Sequence, residues 1–91
     1  MAFKIREAKD DPTRLQDRRT LFRQQRGKCS GCGFAFEFRN LQVDHIVPVA
    51  SGGADRLENL QLLCAHCNYA KGKRSQEHLS EYLRKIGITA K

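Results

Sequence analysis

Two closely spaced cysteine pairs constrain the fold of this 91-residue chain more than any other feature of its sequence. Cys29 and Cys32 form one pair, Cys64 and Cys67 form the other, and thirty-one residues separate the pairs. The N-terminal residues contain no apolar stretch typical of a secretory signal, so we expect a cytoplasmic, reducing compartment in which disulfides are rare. Two CxxC pairs joined by a longer segment are typical of a tetrahedral zinc site, and we predict one structural Zn²⁺ per chain. The competing interpretation, redox-active CxxC pairs, would need a βαβ context that the sequence does not predict.

The length of the chain predicts a single small domain covering residues 1–91. A chain this short can bury only a modest apolar core, and a structural metal commonly supplies the missing stability. The sequence has no run of about eighteen apolar residues, so we predict no membrane span and no membrane partner.

Basic residues are concentrated at the two ends of the chain. Lys and Arg number 17 against 10 Asp and Glu, which gives a net charge of +7. Residues 1–28 carry nine basic and four acidic side chains, residues 71–91 carry six and two, and residues 29–70 carry two and four. Positive flanks around a slightly acidic centre suit a protein that grips a polyanion around a cation site. A merely solvated basic surface is the alternative.

The distribution of apolar residues, glycine and proline predicts an α+β fold with helices at both ends. We expect a basic N-terminal helix over residues 12–26, followed by the first cysteine pair. An alternating segment at residues 41–47 and an extended segment at 60–63 are typical of strands. A short helix is expected at 67–71, and an amphipathic C-terminal helix at about 76–86.

Four segments of the sequence, CSGC, VDHIVPVASGG, ENLQLLC and CNYAKG, point to a known family when they are taken together. In this order and spacing they resemble the HNH endonuclease family, in the subgroup where two CxxC pairs bind a structural zinc. The resemblance covers about residues 27–73, the motif core. It implies a small zinc-stapled ββα-metal fold and a divalent-metal-dependent DNA endonuclease.

The resemblance also implies a role for each polar residue of the motif. His45 corresponds to the general base, and histidine is the side chain best suited to take a proton from water near neutral pH. Asp44 and Asn68 correspond to ligands of one catalytic Mg²⁺ or Mn²⁺ per chain, an ion that prefers oxygen ligands. Asn59 corresponds to the central asparagine, whose amide can pin the loop that presents His45. His66 is an alternative to Asn68 as the second metal ligand, but it lies two residues short of the expected spacing. We interpret it as a surface residue of the zinc knuckle, the turn that contains Cys64 and Cys67.

The expected partner is double-stranded DNA, held mainly through phosphate contacts and therefore with weak sequence preference. A monomer with one site should nick one strand at a time. The residues predicted to contact DNA are basic and flank the motif core: Arg18, Arg19, Arg23, Lys71 and Lys73. Two other functions remain open at this point, a non-catalytic zinc-ribbon module that binds nucleic acid and an interaction subunit that docks through the face from Leu79 to Ile86.

Overall fold

The protein, represented by a computed structural model that describes residues 12–88, is a β-hairpin covered by helices. The remainder of the predicted domain, residues 1–11 and 89–91, lies outside this description. The elements in chain order are α1 (Pro12–Gln24), β1 (Leu41–His45), β2 (Leu60–Cys64), α2 (Ala65–Lys71) and α3 (Gln76–Lys85). Short 3-10 turns at Phe38–Asn40, Val49–Ser51 and Leu57–Asn59 connect them. The predicted α+β fold, with ββα at its centre and a helix on each flank, is confirmed.

The two strands pair antiparallel in a register that places the functional motifs at opposite ends of the hairpin. Leu41 lies opposite Cys64, and His45 lies opposite Leu60. All five residues of β2 are buried, because α1 and α2 both contact this strand. The hairpin therefore carries a zinc ligand at one end and the histidine of the motif at the other.

Strand β1 ends at His45, two residues earlier than predicted from the alternating pattern. The backbone amide of Ile46 donates to the Asn59 carbonyl at 2.8 Å, and the amide of Val47 donates to Asn59 Oδ1 at 2.9 Å. The first bond still continues the register of the hairpin, whereas the second goes to a side chain, so the chain leaves the register at Val47. The apolar alternation continues past the strand and could not reveal this departure.

The flanking helices end where the sequence places glycine. α1 ends two residues before the predicted boundary, because Arg26 and Gly27 adopt positive φ values of 56° and 72°, and the Gly27 amide donates to the Phe22 carbonyl at 2.9 Å. This is a helix-terminating geometry that glycine favours. α3 begins after Ser75, whose hydroxyl accepts from the His78 amide at 3.0 Å, and ends one residue before the predicted boundary.

The core is small and depends on cysteine. Among residues 12–88 the buried apolar side chains comprise seven leucines and four cysteines. The leucines are Leu21, Leu41, Leu60, Leu62, Leu63, Leu79 and Leu83. Cysteines therefore make up more than a third of the buried apolar residues in this range. Within the same range, no helix is long and apolar enough to cross a membrane.

Candidate active site

The four cysteines come together as the sequence predicted. Their Sγ atoms all lie within 4.8 Å of one another, and all four side chains are buried. Cys29 and Cys32 follow α1, whereas Cys64 ends β2 and Cys67 lies in the first turn of α2. A tetrahedral zinc ion with sulfur ligands at about 2.3 Å separates those sulfurs by about 3.8 Å, which is compatible with this cluster. The donor set therefore fits a structural zinc ion.

The polar surroundings of the cluster favour a thiolate at Cys29. Its burial opposes ionisation, but hydrogen bonds from the backbone amides of Cys64, Cys32 and Gly31 outweigh burial and lower its pKa. The Gly31 and Cys64 amides each lie 3.3 Å from this sulfur. Burial, followed by the charge of Cys29, raises the pKa of the Cys67 thiol. A bound dication would supply the positive charge that lets every thiol of the cluster ionise.

Gly31, between the first two cysteines, lets the backbone approach the cluster closely. A Cβ atom at this position would lie 3.0 Å from Cys67 Sγ and 3.1 Å from Leu79 Cδ2. Any side chain would therefore press on the metal ligands and on the α3 contact.

Asp44 lies on β1 in a mostly buried polar cluster with one positive charge. Its Oδ2 accepts from Gln61 Nε2 at 2.9 Å and lies 3.2 Å from Lys71 Nζ. The Asp44 side chain is 9% exposed and the Lys71 side chain is 0% exposed. Gln61 is the cross-strand partner of Asp44, so the hairpin register itself produces this contact. Both donors reach the same carboxylate oxygen, which leaves Oδ1 as the atom available to a cation.

Lys71 does not lie on the surface, contrary to its prediction as a DNA contact. Its ammonium donates to the His45 carbonyl at 2.9 Å in addition to pairing with Asp44. Breaking a buried ion pair by removing one partner costs about 3–5 kcal/mol, because the other charge is left uncompensated. Lys71 therefore ties α2 to the end of β1 and neutralises Asp44.

Asn68 lies one helical turn before Lys71 and faces the same strand. Its Nδ2 donates to Gln42 Oε1. Gln42 precedes Asp44 by two residues, so both side chains leave β1 on the same face, toward α2. This hydrogen bond uses the side-chain nitrogen of Asn68. The side-chain oxygen, the atom that a hard cation prefers, remains available for a metal ion.

His45 lies on the other face of β1 and contacts a loop carboxylate. Its Nε2 is 2.9 Å from Asp55 Oδ1, and the same oxygen accepts from Arg14 Nη2 of α1 at 2.7 Å. The Arg14 guanidinium and then the His45 ring lower the pKa of the Asp55 carboxyl below its usual value. Asp55 is therefore a carboxylate at neutral pH.

Asn59 holds the loop that follows His45. Its Oδ1 accepts from the Val47 amide, and its Nδ2 donates to the carbonyls of Val47 at 3.0 Å and Ala54 at 2.8 Å. A Cβ atom on Gly53 would lie 1.8 Å from the Val47 carbonyl oxygen, so only glycine fits where the loop crosses itself. The loop is pinned to the start of β2 through a single amide side chain.

Asp44 and His45 line one shallow recess of about 180 Å³, together with Lys71 and Lys73. Asn68 meets the same strand through Gln42, but it does not line this recess. Lys73 also lines a larger groove of about 900 Å³ between α2 and α3, where Tyr69 is 92% exposed. Gly72 and Lys73 therefore line both the recess and the groove, and the groove also carries basic and aromatic side chains.

The predicted basic contacts of α1 divide into two kinds. Arg18 is engaged within the protein, since its guanidinium lies 4.4 Å over the Phe38 ring and donates to the carbonyls of Phe38 at 3.3 Å and Leu41 at 3.1 Å. Arg19 and Arg23 are exposed. We therefore retain the exposed pair, together with Lys73, as candidates for phosphate contact, and assign Arg18 to the fold.

The ββα fold, its cluster of four cysteines and its motif residues are those of a nuclease domain, and the chain belongs to the HNH endonuclease family. The model of that family, described as HNH endonuclease, matches residues 29–74, just over half of the chain. The family predicted from the four sequence segments is thereby confirmed.

Two curated proteins and one solved structure show the same relationship. The chain is 42% identical over 50 residues to the CRISPR-associated endonuclease Cas9 of Corynebacterium diphtheriae, covering 54% of this chain and 5% of that protein. It is 37% identical over 54 residues to the type IV methyl-directed restriction enzyme EcoKMcrA of Escherichia coli, covering 53% of this chain and 20% of that enzyme. The crystal structure of the type II-C Cas9 from Actinomyces naeslundii superposes with a TM-score of 0.64 at 27% identity, covering 93% of this chain and 10% of that protein. The chain thus spans a fifth or less of each of these proteins.

Sequence reasoning missed four polar residues around the site. Gln61 could have been identified from the pairing of the two strands, since it lies opposite Asp44. Gln42 could have been identified from the alternation of side chains along the strand, since it shares a face with Asp44. Arg14 and Asp55 are 41 residues apart and meet only because α1 lies beside the loop. No local signal in the sequence predicts that contact.

Proposed function

We propose that this chain is a metal-dependent endonuclease that hydrolyses phosphodiester bonds in double-stranded DNA and nicks one strand. The observation that carries the proposal is the adjacent pair Asp44 and His45, which borders one recess at the end of β1 in a chain of the HNH family. A module that only binds nucleic acid has no chemical use for a paired carboxylate and histidine at this position. The relatives named as endonuclease and restriction enzyme support the same activity.

His45 is proposed to take the proton from the attacking water. A positioned general base contributes about 10²–10⁴-fold to the rate of such a reaction. Lys71 holds the His45 carbonyl, and Asn59 holds the loop that follows, so the backbone directly after the histidine is fixed. We therefore assign Asn59 a role in catalysis as the residue that fixes the loop after His45.

Asp44 and Asn68 are the residues proposed to hold a single Mg²⁺ or Mn²⁺. Each has one side-chain oxygen that remains outside the hydrogen bonds made by residues 12–88, and oxygen donors suit these hard ions. When bound, the ion supplies positive charge to the scissile phosphate and to the departing oxygen. The Lys71 ammonium lies on the other oxygen of Asp44 and offsets part of its charge in the absence of the ion.

DNA binding is proposed to rest on phosphate contacts by Arg19, Arg23 and Lys73. Lys73 lines both the recess and the α2–α3 groove, so its ammonium lies beside a strand bound at the recess. Contacts of this kind position the backbone and carry little sequence information, from which we infer low sequence specificity. One site in a monomeric chain reaches one strand at a time, from which we infer nicking.

The metal assignment is tested by titrating Mg²⁺ and Mn²⁺ in a plasmid-cleavage assay with two variants of Asn68. Asn68→Ala should raise the metal concentration for half-maximal rate by about tenfold or more, because one oxygen ligand is lost. Asn68→Asp keeps an oxygen at this position and adds a negative charge, so it should need no more metal than the wild type.

The contrast between the two variants separates ligation from the hydrogen bond to Gln42. Both substitutions remove the amide that donates to Gln42, so a merely structural role would affect them alike. Equal metal requirements for Asn68→Ala and the wild type would show that Asn68 is not a ligand.

A further inference from the structure

A carboxylate outside the motif contacts the ring of His45. Asp55 Oδ1 lies 2.9 Å from His45 Nε2, across the loop that leads from β1 toward β2. The Asp55 side chain is 59% exposed, and it has no part in the apolar core. The contact joins two side chains that are ten residues apart in sequence.

The chemistry of the two groups determines which ring nitrogen carries the proton. An ionised carboxylate only accepts hydrogen bonds, so the neutral imidazole must donate from Nε2. The lone pair then resides on Nδ1, and among residues 12–88 no protein group is hydrogen-bonded to that atom. The contact therefore fixes the tautomer and turns the basic nitrogen away from Asp55.

Arg14 makes the Asp55 carboxylate a fixed partner. The guanidinium of Arg14 donates to the same oxygen at 2.7 Å, and its side chain is only 20% exposed, so it is held against the domain by α1. An exposed aspartate without such a partner would sample several rotamers. The ion pair thus couples α1, which precedes the family motif, to the orientation of His45.

We propose that Asp55, held by Arg14, is a positioning residue that orients His45 with Nδ1 toward the attacking water. This inference rests on the proposed function, in which His45 is the general base. The arrangement follows the same logic as the carboxylate that orients the histidine of a Ser-His-Asp triad. Here the third group comes from a loop, and its own orientation depends on a helix outside the motif core.

The test compares Asp55→Ala with Glu58→Ala in single-turnover cleavage of a duplex. Both substitutions remove one carboxylate that is paired with an arginine in the same loop region, so their effects on net charge are matched. Only Asp55 contacts His45. Asp55→Ala should lower the maximal cleavage rate by about 10–100-fold, less than the loss of the base itself, with an unchanged concentration dependence for DNA. Glu58→Ala should keep the wild-type rate.

Proton NMR of the protein without DNA gives a readout that does not depend on activity. The wild type should show a downfield, exchange-protected resonance for the His45 Nε2 proton, assigned by its absence in His45→Ala. Asp55→Ala should lose this resonance, and Glu58→Ala should keep it. Arg14→Ala should weaken the resonance and reduce the cleavage rate less than Asp55→Ala.

The outcomes separate this inference from the proposed function. If Asp55→Ala cleaves within twofold of the wild type while His45→Ala is inactive, the positioning role is wrong and the general base stands. If Asp55→Ala changes only the DNA concentration required, Asp55 acts in binding and the inference is overturned. If His45→Ala is as active as the wild type, the proposed function itself fails. A resonance that persists in Asp55→Ala would also overturn the inference.

Discussion

Replacing His45 with alanine should reduce DNA cleavage by about 10²–10⁴-fold, the contribution of a positioned general base. The fold should survive, because the side chain lies at the end of β1 and is 30% exposed. DNA binding should also survive, because the proposed phosphate contacts are on α1 and at Lys73. Cleavage is measured on supercoiled plasmid in Mg²⁺, binding by electrophoretic mobility shift in EDTA, and folding by thermal denaturation.

His66 provides the matched control for this substitution. It is an exposed histidine on α2, near the second cysteine pair, and its Nε2 is 3.2 Å from the Tyr82 hydroxyl. His66→Ala should cleave at the wild-type rate. Near-normal cleavage by His45→Ala together with inactivity of His66→Ala would show that cleavage takes place at the α2–α3 groove. It would contradict the assignment of His45 as the general base.

Extraction of zinc should unfold the domain. The four cysteines form more than a third of the buried apolar residues in the described part of the chain, and they join the end of α1 to the hairpin and α2. Structural zinc in small domains contributes about 10–16 kcal/mol of apparent binding free energy. That contribution is as large as the whole stability of a typical domain, about 5–15 kcal/mol. Loss of the ion should therefore abolish the folded state.

The measurement combines elemental analysis with circular dichroism during titration with an organomercurial. The purified protein should contain one zinc ion per chain, and the helical signal should fall in step with zinc release. Excess thiol with added Zn²⁺ should restore the signal. Brief EDTA treatment serves as the control, since it should remove the oxygen-bound cation alone and leave both zinc and helix content unchanged. Folded protein without zinc would contradict the scaffold role of the cysteines.

The helices, the strands and the cysteine cluster were predictable from sequence because their determinants are local, whereas the ββα-metal arrangement was implied by the family resemblance. The CxxC spacing indicates a pair of metal ligands in one turn. Gly27, Gly72 and Gly87 lie just after the ends of helices. The end of β1 was not predictable in this way. The chain leaves the sheet where the Asn59 side chain binds the amide and the carbonyl of Val47, which is twelve residues away from it in sequence. Apolar alternation carries no information about such a contact.

Only those residues of the candidate site that belong to the family motif were predictable from the sequence. His45 and Asp44 were identified from their family positions, whereas the surroundings that give each its environment depend on tertiary contacts. Lys71 shows the limit, since a lysine near the end of a short helix is usually solvated. Here α2 packs against β1 and buries that lysine on Asp44. Burial of a charge depends on what lies opposite, which sequence near Lys71 does not specify.

A plasmid time course with the wild-type chain at low concentration tests most directly the claim that one metal-dependent site acts within a zinc scaffold. Supercoiled DNA should remain intact after brief EDTA treatment. Addition of Mg²⁺ or Mn²⁺ should convert it to the open-circular form, and linear DNA should follow only after a lag. Linear product from the earliest time points would show concerted double-strand cleavage and contradict a single monomeric site. No cleavage with any divalent ion, by protein that retains zinc and binds DNA, would establish a non-catalytic binding module instead.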